Sequence, residues 1–334
     1  MRTIVFSSKS YDKEFLTEAN SNAGHEMVFV DVPADPQTVV LARGFEAACV
    51  FVNDELNSKV LNALHQEGIK MIALRCAGFN NVDLKAAHQL GIKVARVPAY
   101  SPNAVAEHAV ALILTLNRKT HKAYNRVREQ NFSLERLTGF DLFKKTVGVV
   151  GTGKIGQAFC SIMLGFGCKV LAFDKYPSQK MKDLGVEYVE MDQLLEQSDI
   201  ISLHCPLTPE THHMINADTL AKMKPNVMLI NTSRGKLINT QEVYNALKKQ
   251  KIGYLGIDVY ESEENLFFSD LSEMVVRDRL IARLTTFPNV LITAHQAFFT
   301  QEALTEISQT TIANLTAFQN GEALVNEVTL DMIK

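Results

Sequence analysis

Apolar residues fall along the chain in two recurring patterns. Short β-branched runs bounded by glycine or polar residues read as buried parallel strands, and longer stretches with apolar residues every three or four positions read as helices. In the first hundred residues the runs fall at 3–6, 27–32, 48–52, 71–74 and 93–97 with helical stretches between them, which predicts a small α/β domain. From the middle of the chain the alternation resumes, with runs at 147–150, 169–173, 200–204, 227–231, 255–259 and 290–293 and helical segments such as 240–250. That second series predicts a doubly wound sheet.

Two long apolar helices frame the second series. Ser101 and Pro102 suit an N-cap and a first helical residue, opening a helix over 103–117. Ala106, Ala109, Val110, Ile113 and Leu114 keep helical spacing with further apolar residues between them, so this helix should be buried on more than one face. Segment 301–321 is the other, and its expected place is back on the N-terminal domain, which makes the chain cross between domains twice. No internal repeat or low-complexity tract interrupts the pattern.

Composition narrows the partners. The 334 residues, 46% hydrophobic and 21% charged, suit a soluble protein of about two domains. A net charge of −3 supplies no basic field, which argues against nucleic acid and an anionic membrane surface and leaves small molecules. No apolar stretch approaches a membrane span, and the N-terminus turns polar too soon for a signal peptide. The five cysteines (Cys49, Cys76, Cys160, Cys168, Cys205) are odd in number and lack metal-type spacing, as expected of reduced thiols in a cytoplasm.

Residues 146–174 read TVGVVGTGKIGQAFCSIMLGFGCKVLAFD, a strand, a G-x-G-x-x-G turn, a helix, a second strand and a terminal acid. Gly151 permits the turn, Gly153 lets the backbone approach a pyrophosphate, and Gly156 lets helix and strand pack closely. The N–H groups opening the helix then face the phosphates. Asp174 stands where an acid accepts from ribose hydroxyls and repels a 2′-phosphate, which favours NAD over NADP; Lys175 tempers that slightly. The N-terminal domain has no such loop and is expected to hold the substrate instead.

Ligands of open α/β sheets bind outside the carboxyl ends of the strands. Arg234 follows the run LINTS, His295 follows LITA, and Glu263 lies in the acidic run 261–264 beyond LGIDVY. Reduction of a 2-oxo acid asks for such a set: a cation for the carboxylate, a proton donor, and a group that keeps the donor protonated. Arg234 offers a bidentate fork, His295 an imidazole that titrates near neutrality, and a glutamate of the run an orienting partner, though spacing alone does not separate Glu263 from Glu261 or Glu264. Asp258 ends its strand and is expected near the nicotinamide. His108 and His204, set among apolar residues, read as structural. His212 and His213 are not read as a metal pair, because adjacent side chains diverge and no acid has ligand spacing. Cys76 beside Arg75 reads as a small buried hydrophobe.

These residues carry a resemblance. The segments LRCAGFNNVDL (74–84), VPAYSPNAVAEHA (97–109), GVVGTGKIG (148–156), HCPLTPETHHMIN (204–216), INTSRGKLIN (230–239), GIDVYESEENLFF (256–268) and AHQAFFT (294–300) resemble the D-2-hydroxyacid dehydrogenase family, and within it the fermentative D-lactate branch, over nearly the entire chain. The resemblance implies Arg234, Glu263 and His295 as the catalytic set. It implies Ala77 and Gly78 as backbone donors to a substrate carboxylate, and Tyr100 and Phe298 as the lining for its side chain. Lys154, Ile155, Asp174, Cys205, Pro206, Thr211, Thr232, Ser233 and Asp258 match cofactor positions beside the glycines. Thr211 departs from the asparagine common among relatives, and Gln296 from the threonine some carry after the histidine.

Pattern and resemblance together predict an α/β protein of two domains, a Rossmann NAD domain (101–298) inserted into a smaller flavodoxin-like α/β substrate domain (1–100 and 299–334). The implied reaction is reversible reduction of pyruvate to D-lactate by NADH with His295 as proton donor, in a cytoplasmic homodimer or homotetramer that needs no metal. Branched or aromatic 2-oxo acids, and an NADH-sensing binding protein of the same fold, are the alternatives.

Overall fold

The computed structural model describes residues 1–263, 266–268 and 270–332. The chain divides into two compact units, Met1–Ser101 with the segment from Phe299 onward, and Pro102–Phe298.

In the first unit, strands β1 (Arg2–Val5), β2 (Glu26–Phe29), β3 (Ala47–Val50), β4 (Met71–Leu74) and β5 (Lys93–Ala95) form a parallel sheet in the order β2-β1-β3-β4-β5. That is the flavodoxin-like order. The two-residue period of each strand sorts its side chains onto two faces. Ile4, Ala48, Val50, Ile72 and Leu74 point to one side with Leu61 and Leu64 of the helix Ser58–Gln66. Val5, Ala47, Cys49, Met71 and Ala73 point to the other, where Leu16 and the C-terminal helix Gln301–Gln319 cover them through Ile312 and Leu315. Each valine, leucine, isoleucine or methionine among them stabilises by about 1.5–3 kcal/mol on burial.

The second unit holds β6 (Thr146–Val150), β7 (Lys169–Phe173), β8 (Glu187–Tyr188), β9 (Ile200–Leu203), β10 (Val227–Asn231), β11 (Ile252–Ile257) and β12 (Val290–Ile292). They are all parallel, in the order β12-β11-β10-β9-β6-β7-β8. The direction of winding reverses between β6 and β9, the switch point at which doubly wound folds open a crevice for dinucleotides. The helix Pro102–Arg118 lies on one face and buries Ala106, Ala109, Ile113 and Leu116 against Val147, Val149, Met228 and Ile230. Leu194, Leu220, Val243 and Leu284 cover the other face.

Pattern and structure differ at some strand ends. β8 is only two residues long, too short for any periodicity. β11 begins at Ile252 rather than 255, where Gly253 and Tyr254 dilute the apolar run, and ends at Ile257, after which the Asp258 carboxylate accepts from Gln296 N and Ala297 N. No helix among the described residues is long and apolar enough to cross a membrane.

Candidate active site

The glycine turn follows β6. Gly151 adopts φ +93, which favours glycine, and a Cβ on Gly156 would lie 2.0 Å from the Gly151 carbonyl oxygen, so only hydrogen fits there. Gly153 faces open space and caps the helix Lys154–Gly165 without any side chain bonding the helix N–H groups. Lys154 is exposed and Ile155 half-buried at the helix start. Asp174 ends β7 as its position predicts, but its carboxylate also braces the turn. Oδ2 accepts from Thr152 N at 2.5 Å and Thr152 Oγ1 at 3.0 Å, and Oδ1 accepts from Tyr176 N at 2.8 Å.

Beyond β9, Cys205 is buried and Pro206 exposed. Burial pushes the Cys205 thiol up to about 11, so the group is a thiol at neutral pH. Thr211 closes this loop on itself, its hydroxyl donating to Pro206 O at 2.7 Å and accepting from Thr208 N at 2.7 Å. Beyond β10, buried Asn231 builds the turn that carries Arg234. Its Oδ1 accepts from Ser233 N at 3.0 Å and its Nδ2 donates to Arg234 O at 2.9 Å. Ser233 Oγ donates to Cys205 O at 2.6 Å, tying the two strand ends together. Thr232 Oγ1 is buried with no hydrogen-bond partner among the described residues.

Arg234, Glu263 and His295 follow β10, β11 and β12, three neighbouring strands. Glu263 and His295 meet, with Oε1 2.9 Å from Nδ1, while Glu263 Oε2 accepts from Tyr260 N at 2.9 Å. A carboxylate only accepts, so Nδ1 carries a hydrogen and Nε2 is the nitrogen that gains or loses a proton. His295 itself sits at φ +52, an uncommon conformation for a residue with a Cβ. Its N–H donates to Asp258 O at 2.7 Å, and the Phe268 ring lies 5.7 Å from its ring. Phe298 is buried. Glu264, the third glutamate of the acidic run, lies outside the described residues. Glu261 is engaged elsewhere, accepting from Thr240 N and pairing with His213 at 2.6 Å. The rings of His212 and His213 stack at 3.9 Å instead of diverging, with His213 at φ +50.

In the first unit, Ala77 and Gly78 follow β4. The Ala77 carbonyl accepts from Arg96 Nη1 at 2.8 Å and the Gly78 carbonyl from Cys76 Sγ at 3.3 Å, which fixes the orientation of both peptides. Tyr100 is half-buried at the end of that segment.

Residues 110–297 match the model of the D-isomer specific 2-hydroxyacid dehydrogenase NAD binding domain. The chain is also 55% identical over 328 residues to the D-lactate dehydrogenase of Escherichia coli (strain K12), covering 98% of this chain and 100% of that one. The chain belongs to the D-isomer specific 2-hydroxyacid dehydrogenase family. Solved relatives of this dehydrogenase agree across both units. The apo-structure of the Escherichia coli enzyme superposes with a TM-score of 0.92 at 53% identity, over 98% of this chain and 100% of that one. A D-lactate dehydrogenase from Aquifex aeolicus complexed with NAD and lactic acid gives 0.84 at 36% identity, over 96% of each chain.

The protein is therefore an NAD-dependent oxidoreductase, and the residues present fit that cofactor. The uncapped helix start behind Gly153 offers N–H donors to a pyrophosphate, and the partnerless Thr232 hydroxyl offers one more polar group at the strand ends. Two side chains behind His295 escaped sequence reasoning. His108 and Thr293 bond one another at 3.0 Å although 185 positions separate them, and no local pattern encodes such a pair.

Proposed function

We propose that this dehydrogenase reversibly reduces pyruvate to D-lactate. The observation that carries the reading is the Glu263–His295 hydrogen bond, which leaves Nε2 as the proton-exchanging atom. Similarity over the full chain to the Escherichia coli D-lactate dehydrogenase supports the choice of acid. NADH, when bound, supplies the hydride that reaches C2 of the 2-oxo acid. His295 Nε2 gives the balancing proton to the carbonyl oxygen, and Glu263 stabilises the imidazolium that precedes transfer. Arg234 holds the carboxylate through its planar fork and polarises the adjacent carbonyl. Ala77 and Gly78 add backbone N–H donors, and Tyr100 and Phe298 line a methyl-sized side-chain site.

For the cofactor, Gly151, Gly153 and Gly156 shape the pyrophosphate turn with Lys154 and Ile155. Asp174 binds the ribose hydroxyls, and Cys205, Pro206, Thr211, Thr232, Ser233 and Arg234 complete the site, with buried Asp258 acting there through the peptides it holds and not through a contact of its own carboxylate. The enzyme works in the cytoplasm as a homodimer or homotetramer.

The test is NADH oxidation with pyruvate, then with a panel of larger 2-oxo acids, and assignment of product chirality. Rapid formation of D-lactate is the expected result. Preference for a branched or aromatic 2-oxo acid would move the protein to another branch of the family. NADH binding without turnover of any 2-oxo acid would overturn the enzymatic reading.

A further inference from the structure

Asp258 is fully buried, and its carboxylate is surrounded by protein donors. Oδ1 accepts from the Thr293 hydroxyl at 2.5 Å and from Gln296 N at 3.0 Å, and Oδ2 accepts from Ala297 N at 2.9 Å. The two backbone donors belong to the residues immediately after His295, and the Asp258 carbonyl takes the N–H of His295 itself. One residue thus grips three consecutive peptides of the loop that bears the imidazole. Behind it stands His108 on the helix Pro102–Arg118. Its Nε2 lies 3.0 Å from Thr293 Oγ1 and 3.4 Å from Asp258 Oδ1. The Thr293 hydroxyl gives its only hydrogen to Asp258, so its oxygen accepts from His108, and Nε2 is a donor. Among the described residues, no lysine or arginine side chain lies within ion-pair distance of Asp258.

We propose that His108 and Thr293 are positioning residues for the reaction: through Asp258 they hold residues 295–297 so that His295 keeps the left-handed conformation that aims its Nε2. The inference rests on the reading of His295 as proton donor. Neither side chain needs to touch substrate. His108 fixes the Thr293 rotor, Thr293 and His108 fix the Asp258 carboxylate, and the carboxylate fixes the loop. Without them Asp258 keeps only the backbone donors of Gln296 and Ala297, one on each oxygen, and nothing from the helix side seats the carboxylate, so the turn that holds His295 in its unfavourable φ is braced less firmly.

The experiment compares His108→Leu with His108→Gln, whose amide N–H can replace Nε2–H, and Thr293→Val with Thr293→Ser. Pyruvate kinetics and NADH affinity by fluorescence are read for each. His108→Leu and Thr293→Val should lower kcat by about 10–100-fold, as sub-ångström to ångström misplacement of an acid does, with KM and NADH affinity changed less than about twofold. His108→Gln and Thr293→Ser should recover most of kcat. On a His295→Ala background, His108→Leu should cost nothing further, because the group it positions is gone. Unchanged kcat in both loss variants, no rescue by glutamine, or NADH affinity falling in step with kcat would overturn the proposal. If His108→Leu does not fold, the Thr293 pair decides alone. Unchanged turnover in His295→Ala would reject the proton-donor reading and the proposal with it; loss there with none in the other variants would reject the proposal only.

Discussion

His204 and His295 each follow a parallel strand of the NAD unit, and their surroundings set them to different tasks. His295 faces a carboxylate. His204 instead packs 4.8 Å from the Phe159 ring, bonds Ser202 Oγ through Nε2 at 2.8 Å, and leaves Nδ1 sealed without a partner among the described residues. Burial lowers its pKa to about 3, so it stays neutral in the folded protein. The unfolded chain takes up a proton there below about pH 6.5, so stability is full above that value and falls as pH drops toward the folded value. Urea midpoints measured from neutral pH down to about pH 5 should therefore decline less steeply in His204→Gln than in the parent, since the amide has no proton to take up in this range. His25 and His121 are held down in the same direction by burial and contribute equally to both proteins. Identical slopes would mean that His204 is solvated. At this scale Arg234 and His295 were legible as strand-end residues, because sheet topology fixes where a strand end points, whereas only the family resemblance separated Glu263 from Glu261 and Glu264. His108 and Thr293 were not, because their hydrogen bond joins a helix to a strand far along the chain.

Elements were legible in proportion to their length and periodicity. The helix Pro102–Arg118, buried on several faces, matches its apolar spacing, whereas β8 and the start of β11 carried too little pattern to locate. The glycine turn was legible for a different reason, since its steric demand leaves one residue type. A methyl at Gly156 has the Gly151 carbonyl 2.0 Å away, so the helix Lys154–Gly165 would have to move off the turn. Gly156→Ala should weaken NADH binding at least about tenfold, since close helix–strand packing holds the N–H groups against the pyrophosphate. Fluorescence titration measures this, and undiminished affinity would show that the helix start plays no part in binding.

Over the whole molecule, two sheets with separate apolar clusters predict separable stabilities. Leu315 is wholly buried where the C-terminal helix covers the first sheet. Leu315→Ala should cost about 2–5 kcal/mol there. Hydrogen exchange should report faster opening of β1, β3 and β4 with the protection of β6, β9 and β10 preserved, and uniform loss in both units would refute their independence. The same division sets an order of events on the ribosome. The strands of the first sheet emerge early, but Ile312 and Leu315 are translated only after the intervening unit. At about 5–20 residues per second those roughly 200 residues take about 10–40 s. For that interval the face formed by Val5, Ala47, Cys49, Met71 and Ala73 has Leu16 but not Ile312 and Leu315 to cover it on a tethered nascent chain, a natural client for whatever chaperone waits at the exit tunnel.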